Sequence, residues 1–127
     1  MSNNLIYPEL SYKITGICFQ TQNELGHFAT EKQYADYLEI LLKQNQIQYQ
    51  REVKVPFNVG GNKVFRNIID FIIEDKIVLE CKAKKFITKE DYYQMQRYLN
   101  ATGIKLGLIV NFRSHYLKPK RIINYSC

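Results

Sequence analysis

Apolar side chains recur every three or four positions early in the chain and alternate later, so the sequence divides into a helical start and a sheet-rich remainder. In PELSYKITGICFQTQNELG, Leu10, Ile14, Ile17, Cys18 and Leu25 fall on or near one helical face. Pro8 suits the first turn of that helix and Gly26 its end. The segment TEKQYADYLEILLKQNQI predicts a second helix with a stripe of Tyr34, Leu38, Leu41 and Leu42. Thr30 and Gln33 have the spacing of a capping box at its start.

The period then shortens to two. QYQREVKVPFNV reads as a strand in which Tyr49, Val53, Val55 and Phe57 share a parity and hence a face. GGN marks a turn, and KVFRNIIDFII and KIVLECKAK read as two further strands joined tightly around Glu74, Asp75 and Lys76. TKEDYYQMQRYLNATG predicts a third helix, capped by Thr88, ended by Gly103 and buried along Tyr92, Met95 and Leu99. KLGLIVNF is nearly continuous in apolar residues, as suits a strand inside a sheet, and RIINY reads as a last edge strand. The order α-α-β-β-β-α-β, with a final β, predicts an α/β (α+β mixed) protein whose mixed central sheet is flanked by helices. No repeat, low-complexity tract or linker interrupts the pattern, so residues 1–127 read as one domain.

Composition narrows the class. Apolar residues make up 46% and charged residues 24%, which is the balance of a folded rather than a disordered chain. Eighteen Lys and Arg oppose twelve Asp and Glu, for a net charge of +6. A pI near 9.2 favours anionic partners, nucleic acid first, with solvating surface charge as the plain alternative. Cys18, Cys81 and Cys127 are odd in number and far apart, which argues against a disulfide framework or a zinc site and suits reduced thiols in the cytoplasm. His27 and His115 stand alone in sequence. The first residues lack the pattern of a signal peptide, and no apolar run is long enough to cross a bilayer.

One stretch places charge where the pattern calls for core. In DFIIEDKIVLECKAK, Asp70, Glu80 and Lys82 lie among apolar strand positions. Alternation puts Glu80 and Lys82 on one face. If the turn keeps Ile73 opposite Ile77, Asp70 lies opposite Glu80, with Cβ atoms about 5 Å apart. Two carboxylates that close repel unless a positive group sits between them, and a hard divalent cation with oxygen ligands is a natural solution. Lys82, one pleat along, would then reach a phosphate or the attacking water, an arrangement suited to phosphodiester hydrolysis. The plain alternative is a strand face on which Lys82 neutralises Glu80.

Asp70, Glu80-Cys81-Lys82 and the order of elements resemble the PD-(D/E)xK nuclease superfamily, which implies a restriction-endonuclease-like core. More narrowly, four stretches resemble the small bacterial GxxExxY proteins over roughly residues 5–124: NELGHFATEKQY, QYQREVKVPF, FRNIIDFIIEDKIVLECKA and QMQRYLNATGIKLGLIVNF. Phe28 stands where that pattern has glycine, and Arg66 stands four residues before Asp70 with Ile68 between. The resemblance implies Asp70 and Glu80 as ligands of Mg or Mn, with the Cys81 backbone carbonyl as a further ligand. It implies Lys82 as the catalytic lysine, Glu31 as a helix-borne acid at the metal, and Gln94 as a polar residue bordering the site. Glu31 also suits the helix dipole, and Cys81 itself reads as a small core residue. Tyr34 and Tyr98 read as packing residues with bonded hydroxyls.

Lys84, Lys85 and Arg97 are candidate nucleic-acid contacts, and Arg113, Lys118, Lys120 and Arg121 add a basic run near the end. The leading expectation is a metal-dependent nuclease acting on DNA. The alternative is a catalytically inactive module that binds nucleic acid or a protein partner on the same fold. So small a core would draw on a homodimer or another protein for recognition.

Overall fold

The computed structural model describes residues 6–59 and 62–126, and of 57–59 and 62–66 the backbone alone. Eight elements follow one another: α1 (Pro8–Leu25), α2 (Glu31–Gln44), β1 (Tyr49–Val59), β2 (Asn62–Ile73), β3 (Ile77–Lys82), α3 (Lys89–Thr102), β4 (Leu106–Asn111) and β5 (Lys120–Ile123). The order is the one the sequence predicts. Gly60 and Gly61 of the GGN turn lie outside the described residues, as does the side chain of Arg66.

Helix ends follow the local signals. Thr30 accepts from the Gln33 N–H at 3.1 Å, and Gln33 accepts from the Thr30 N–H at 2.9 Å, a complete capping box. Thr88 and Asp91 do the same for α3. Gly103 closes α3 in the left-handed region at φ 73°, where a side chain would be strained.

The five strands lie in the order β1-β2-β3-β4-β5. The β1–β2, β2–β3 and β4–β5 pairs are antiparallel, whereas β3 and β4, joined through α3, are parallel. Helices α1 and α2 cover one face, over Phe71, Ile73, Ile77, Leu79, Cys81, Leu106, Leu108 and Val110. Helix α3 covers the other, where Met95, Tyr98 and Leu99 meet Val55, Ile69, Ile72, Val78, Ile109 and Ile122. Gly107 permits this close approach: a Cβ there would stand 2.4 Å from Met95 Sδ. Arg51 ties β1 to α2 through Asp36 and Glu39, both at 2.8 Å.

The β1 face differs from the shared parity that the sequence suggests. Tyr49 packs with the α1–α2 core, but Val53 and Val55 pack with the α3 core. The two faces exchange at Glu52, which has φ 56° and so breaks the alternation. The exchange is matched on β2, where Phe71 faces α1–α2 and Ile69 faces α3. Asp70 lies between them, opposite Glu52 in the register that pairs Arg51 with Phe71 and Val53 with Ile69.

Candidate active site

The hairpin turn decides the site. Glu74 and Asp75 adopt φ 55° and 56°, and the Lys76 N–H donates to the Ile73 carbonyl at 2.9 Å. Two successive left-handed residues make the kind of turn that matches strand twist. The turn sets Ile73 opposite Ile77, Ile72 opposite Val78 and Phe71 opposite Leu79. Asp70 and Glu80 come next, as expected, and there β2 and β3 part: beyond this point β2 pairs with β1, and β3 with β4.

The carboxylates occupy the fork. Glu80 Oε2 accepts from the Asp70 N–H at 2.7 Å, and Asp70 Oδ2 accepts from the Cys81 N–H at 2.8 Å. Each side chain thus takes a backbone donor from the strand opposite its own. No other hydrogen bond reaches either carboxylate from the described residues, so each keeps an oxygen for another partner.

Burial makes these acids unusual. Glu80 is only 4% exposed, and burial, reinforced by the facing Asp70 charge, raises its pKa well above the usual carboxylate range. Asp70 is half-buried, and burial raises its pKa too, against the opposing pull of the Cys81 N–H and of Lys82. Both groups are thus poorly compensated as anions. The Cys81 thiol faces the α1–α2 core, where burial pushes its pKa up and makes it inert.

Lys82 lies two residues beyond Glu80, on the side of α3. Its ammonium donates to Gln94 Oε1 at 2.9 Å and lies 3.8 Å from Asp91 Oδ1. Glu31, in the first turn of α2, accepts from the Ala83 N–H at 3.3 Å. The five side chains singled out from the sequence, Asp70, Glu80, Lys82, Glu31 and Gln94, therefore gather at one end of β3. Phe28 is not among the residues with positive φ, so its backbone does not require glycine at that position.

Two residues of this neighbourhood escaped the sequence reading. Asp91 is buried and binds Lys84 Nζ through both oxygens, at 3.1 and 2.9 Å. Burial opposes its charge, but the Lys84 and Thr88 hydrogen bonds hold its pKa below the usual range. Asn111, also buried, donates to the Lys84 carbonyl at 2.8 Å and accepts from the Lys84 N–H at 3.1 Å. The capping-box position of Asp91 was legible, but its pairing with Lys84 was not. Lys84 is thus engaged, whereas Lys85 and Arg97 stand exposed.

The sheet forks where Asp70 and Glu80 face each other, with Lys82 two residues further along β3. A sequence model of the PD-(D/E)XK nuclease superfamily matches residues 8–123, and the chain belongs to that superfamily. No curated protein matches it. The crystal structure of SSO0001 is similar in fold, with a TM-score of 0.56 and 22% identity over 87% of this chain. The match covers 65% of that protein, so this chain spans about two thirds of its length.

Nucleases of this superfamily generally use divalent metal ions. The Asp70–Glu80 pair fits one in chemistry, because two hard oxygen donors that repel each other gain from a cation between them. Among the described residues no three His, Cys, Asp or Glu side chains form a metal-holding group, but the Glu31 charge lies near enough to oppose ionisation of both Asp70 and Glu80. No described helix is long and apolar enough to cross a membrane.

Proposed function

We propose that this chain is a metal-dependent nuclease that hydrolyses phosphodiester bonds of DNA. The observation that carries the reading is the reciprocal Asp70–Glu80 pair at the fork, with Lys82 two residues along the same strand. Asp70 and Glu80 would hold Mg or Mn, joined by the Cys81 carbonyl, with Glu31 as an outer acid. Such an ion polarises a phosphoryl oxygen and lowers the pKa of the water it binds.

The chain's own residues do the rest. Gln94 and Asp91 hold the Lys82 ammonium at the mouth of the fork. There it orients the attacking water and offsets the negative charge that grows on the phosphoryl oxygens. The water oxygen would attack phosphorus in line as its proton passes to solvent, and the opposite P–O bond would break, its oxygen taking a proton from solvent. A cation held by Asp70 and Glu80 would favour their anionic forms, which burial opposes.

Within the superfamily we place the chain beside the GxxExxY proteins, on Glu31, Tyr34 and the segment QMQRYLNATGIKLGLIVNF. Residues 1–127 act as one nuclease unit, with a second copy or another protein extending the recognition surface. Two buried free thiols, Cys18 and Cys81, suit work in the cytoplasm.

Cleavage of labelled single-stranded, duplex and branched DNA, and of RNA, tests the proposal in Mg, Mn or EDTA. Wild type is expected to cut with metal alone, and Glu80→Ala and Lys82→Ala to lose at least about 100-fold while staying folded. Metal-insensitive binding without cutting on any substrate would overturn the enzyme and leave a binding module.

A further inference from the structure

The loop face beside Lys82 carries a cluster that hydrolysis does not use. Phe28 and Tyr116 are 85% and 83% exposed. The Arg113 guanidinium lies 5.8 Å from the Phe28 ring centroid. His27 and His115, far apart in sequence, stack at 6.0 Å with 22° between their planes, and Tyr116 meets His115 edge-on at 4.6 Å. Beside them runs a cleft of about 430 Å³ lined by Phe19, Gln22, His27, His115 and Tyr116 among others.

This surface is held firmly and close to the fork. The Phe112 N–H donates to the Lys82 carbonyl at 2.9 Å, which fixes Arg113 next to the end of β3. Glu31, three residues after Phe28, reaches the Ala83 N–H. The Tyr34 hydroxyl donates to the Gly26 carbonyl and accepts from the Ala29 N–H, and its ring stacks on Phe112 at 4.4 Å. Gln22 donates to the Phe112 and Ser114 carbonyls at 2.8 and 2.9 Å. Phe28 is thus presented on a braced loop whose backbone does not require glycine.

Single exposed aromatics are ordinary, but aromatic rings set around a guanidinium beside the proposed nuclease site have a specific use. Unpaired bases stack on such rings, and the cations meet the phosphates between them. A duplex hides its base faces and gains only the charge.

We propose that Phe28, Arg113, His115 and Tyr116 form a base-stacking platform that takes an unpaired nucleic-acid strand and leads it to Asp70, Glu80 and Lys82. The inference rests on the nuclease reading for its destination, but its binding step is separable. The net charge of +6 supplies the general attraction, and the rings supply the discrimination.

The test is fluorescence anisotropy in EDTA, where no turnover occurs. The probes are a labelled DNA single strand, the same strand with abasic sites, its duplex, and RNA of the same sequence. Wild type is compared with a Phe28→Ala/Tyr116→Ala variant and with Phe28→Tyr/Tyr116→Phe, which keeps both rings. The alanine variant is expected to bind the single strand about 5- to 150-fold more weakly per lost stack. Duplex binding should hold, the ring-keeping variant should recover, and the abasic strand should be insensitive to the alanine changes. A loss on both DNA and RNA strands, or on one alone, supports the platform and identifies the sugar it accepts. An equal loss on single strand, duplex and abasic strand, or no loss, would overturn it. Parallel cleavage assays separate the two proposals: stacking without cutting by wild type fails the nuclease alone, and unchanged binding and cutting by the alanine variant fails the platform alone.

Discussion

Glu80 concentrates the tension of the site in one side chain. A buried carboxylate facing another is costly as an anion, so the metal-free native protein holds its proton more tightly than the unfolded chain does. The metal-free fold therefore loses stability as pH rises from the unfolded value of about 4.3 through the higher folded one. Glu80→Gln keeps an oxygen to accept the Asp70 N–H and removes the charge. Its melting temperature should exceed that of wild type at neutral pH in EDTA, and the two should converge in acid. A difference that is flat across the pH range would refute this origin. Added Mn should raise the wild-type melting temperature, because a ligand that binds only the folded state stabilises it, and leave Glu80→Gln nearly unmoved. At this scale the meeting of Asp70 and Glu80, with Lys82 one pleat along, was legible from spacing, since strand parity and one turn suffice. Asp91 was not, because a capping residue gives no sign of the lysine that will reach it.

At the scale of elements, helix ends announce themselves and strand faces do not. Thr30, Thr88 and Gly103 act within a few residues of their own positions. The exchange of faces at Glu52 depends instead on β1 and β2 breaking alternation together, which neither strand's pattern reveals. The seat of α3 on the sheet is another long-range fit. Gly107→Ala would drive a methyl to 2.4 Å from Met95 Sδ and 2.8 Å from its Cγ, with Met95 fully buried. Overpacking of this kind should cost about 1–3 kcal/mol in urea unfolding. Adding Met95→Ala should cost less in the Gly107→Ala background than in wild type, since the intruding methyl fills part of the space. Additive costs would place the strain elsewhere.

Over the whole molecule, positive charge attracts and local structure selects. Strand binding should weaken with salt along a straight log–log line, as counterions released by the phosphates predict. Arg113→Gln should flatten the slope for a single strand by about 0.7 if its guanidinium meets one phosphate. An unchanged slope would remove Arg113 from the path of the backbone. Arg121, by contrast, is tied to the fold through Ser11 Oγ at 2.9 Å and the Ile6 carbonyl at 2.8 Å, while Lys118 and Lys120 beside it stand exposed.

The sequence by itself determined the elements, their order, and the pairing of Asp70 with Glu80. Those follow from hydrophobic period, caps and a short turn, which operate over a few residues. Only the tertiary structure decided that β2 and β3 part at the carboxylates, that Asp91 secures Lys84 beside Lys82, and that the loop of His27 and Phe28 meets the loop of Arg113 and His115. Those depend on how α1, α2 and α3 pack on the sheet, and packing joins residues whose separation along the chain carries no local signal.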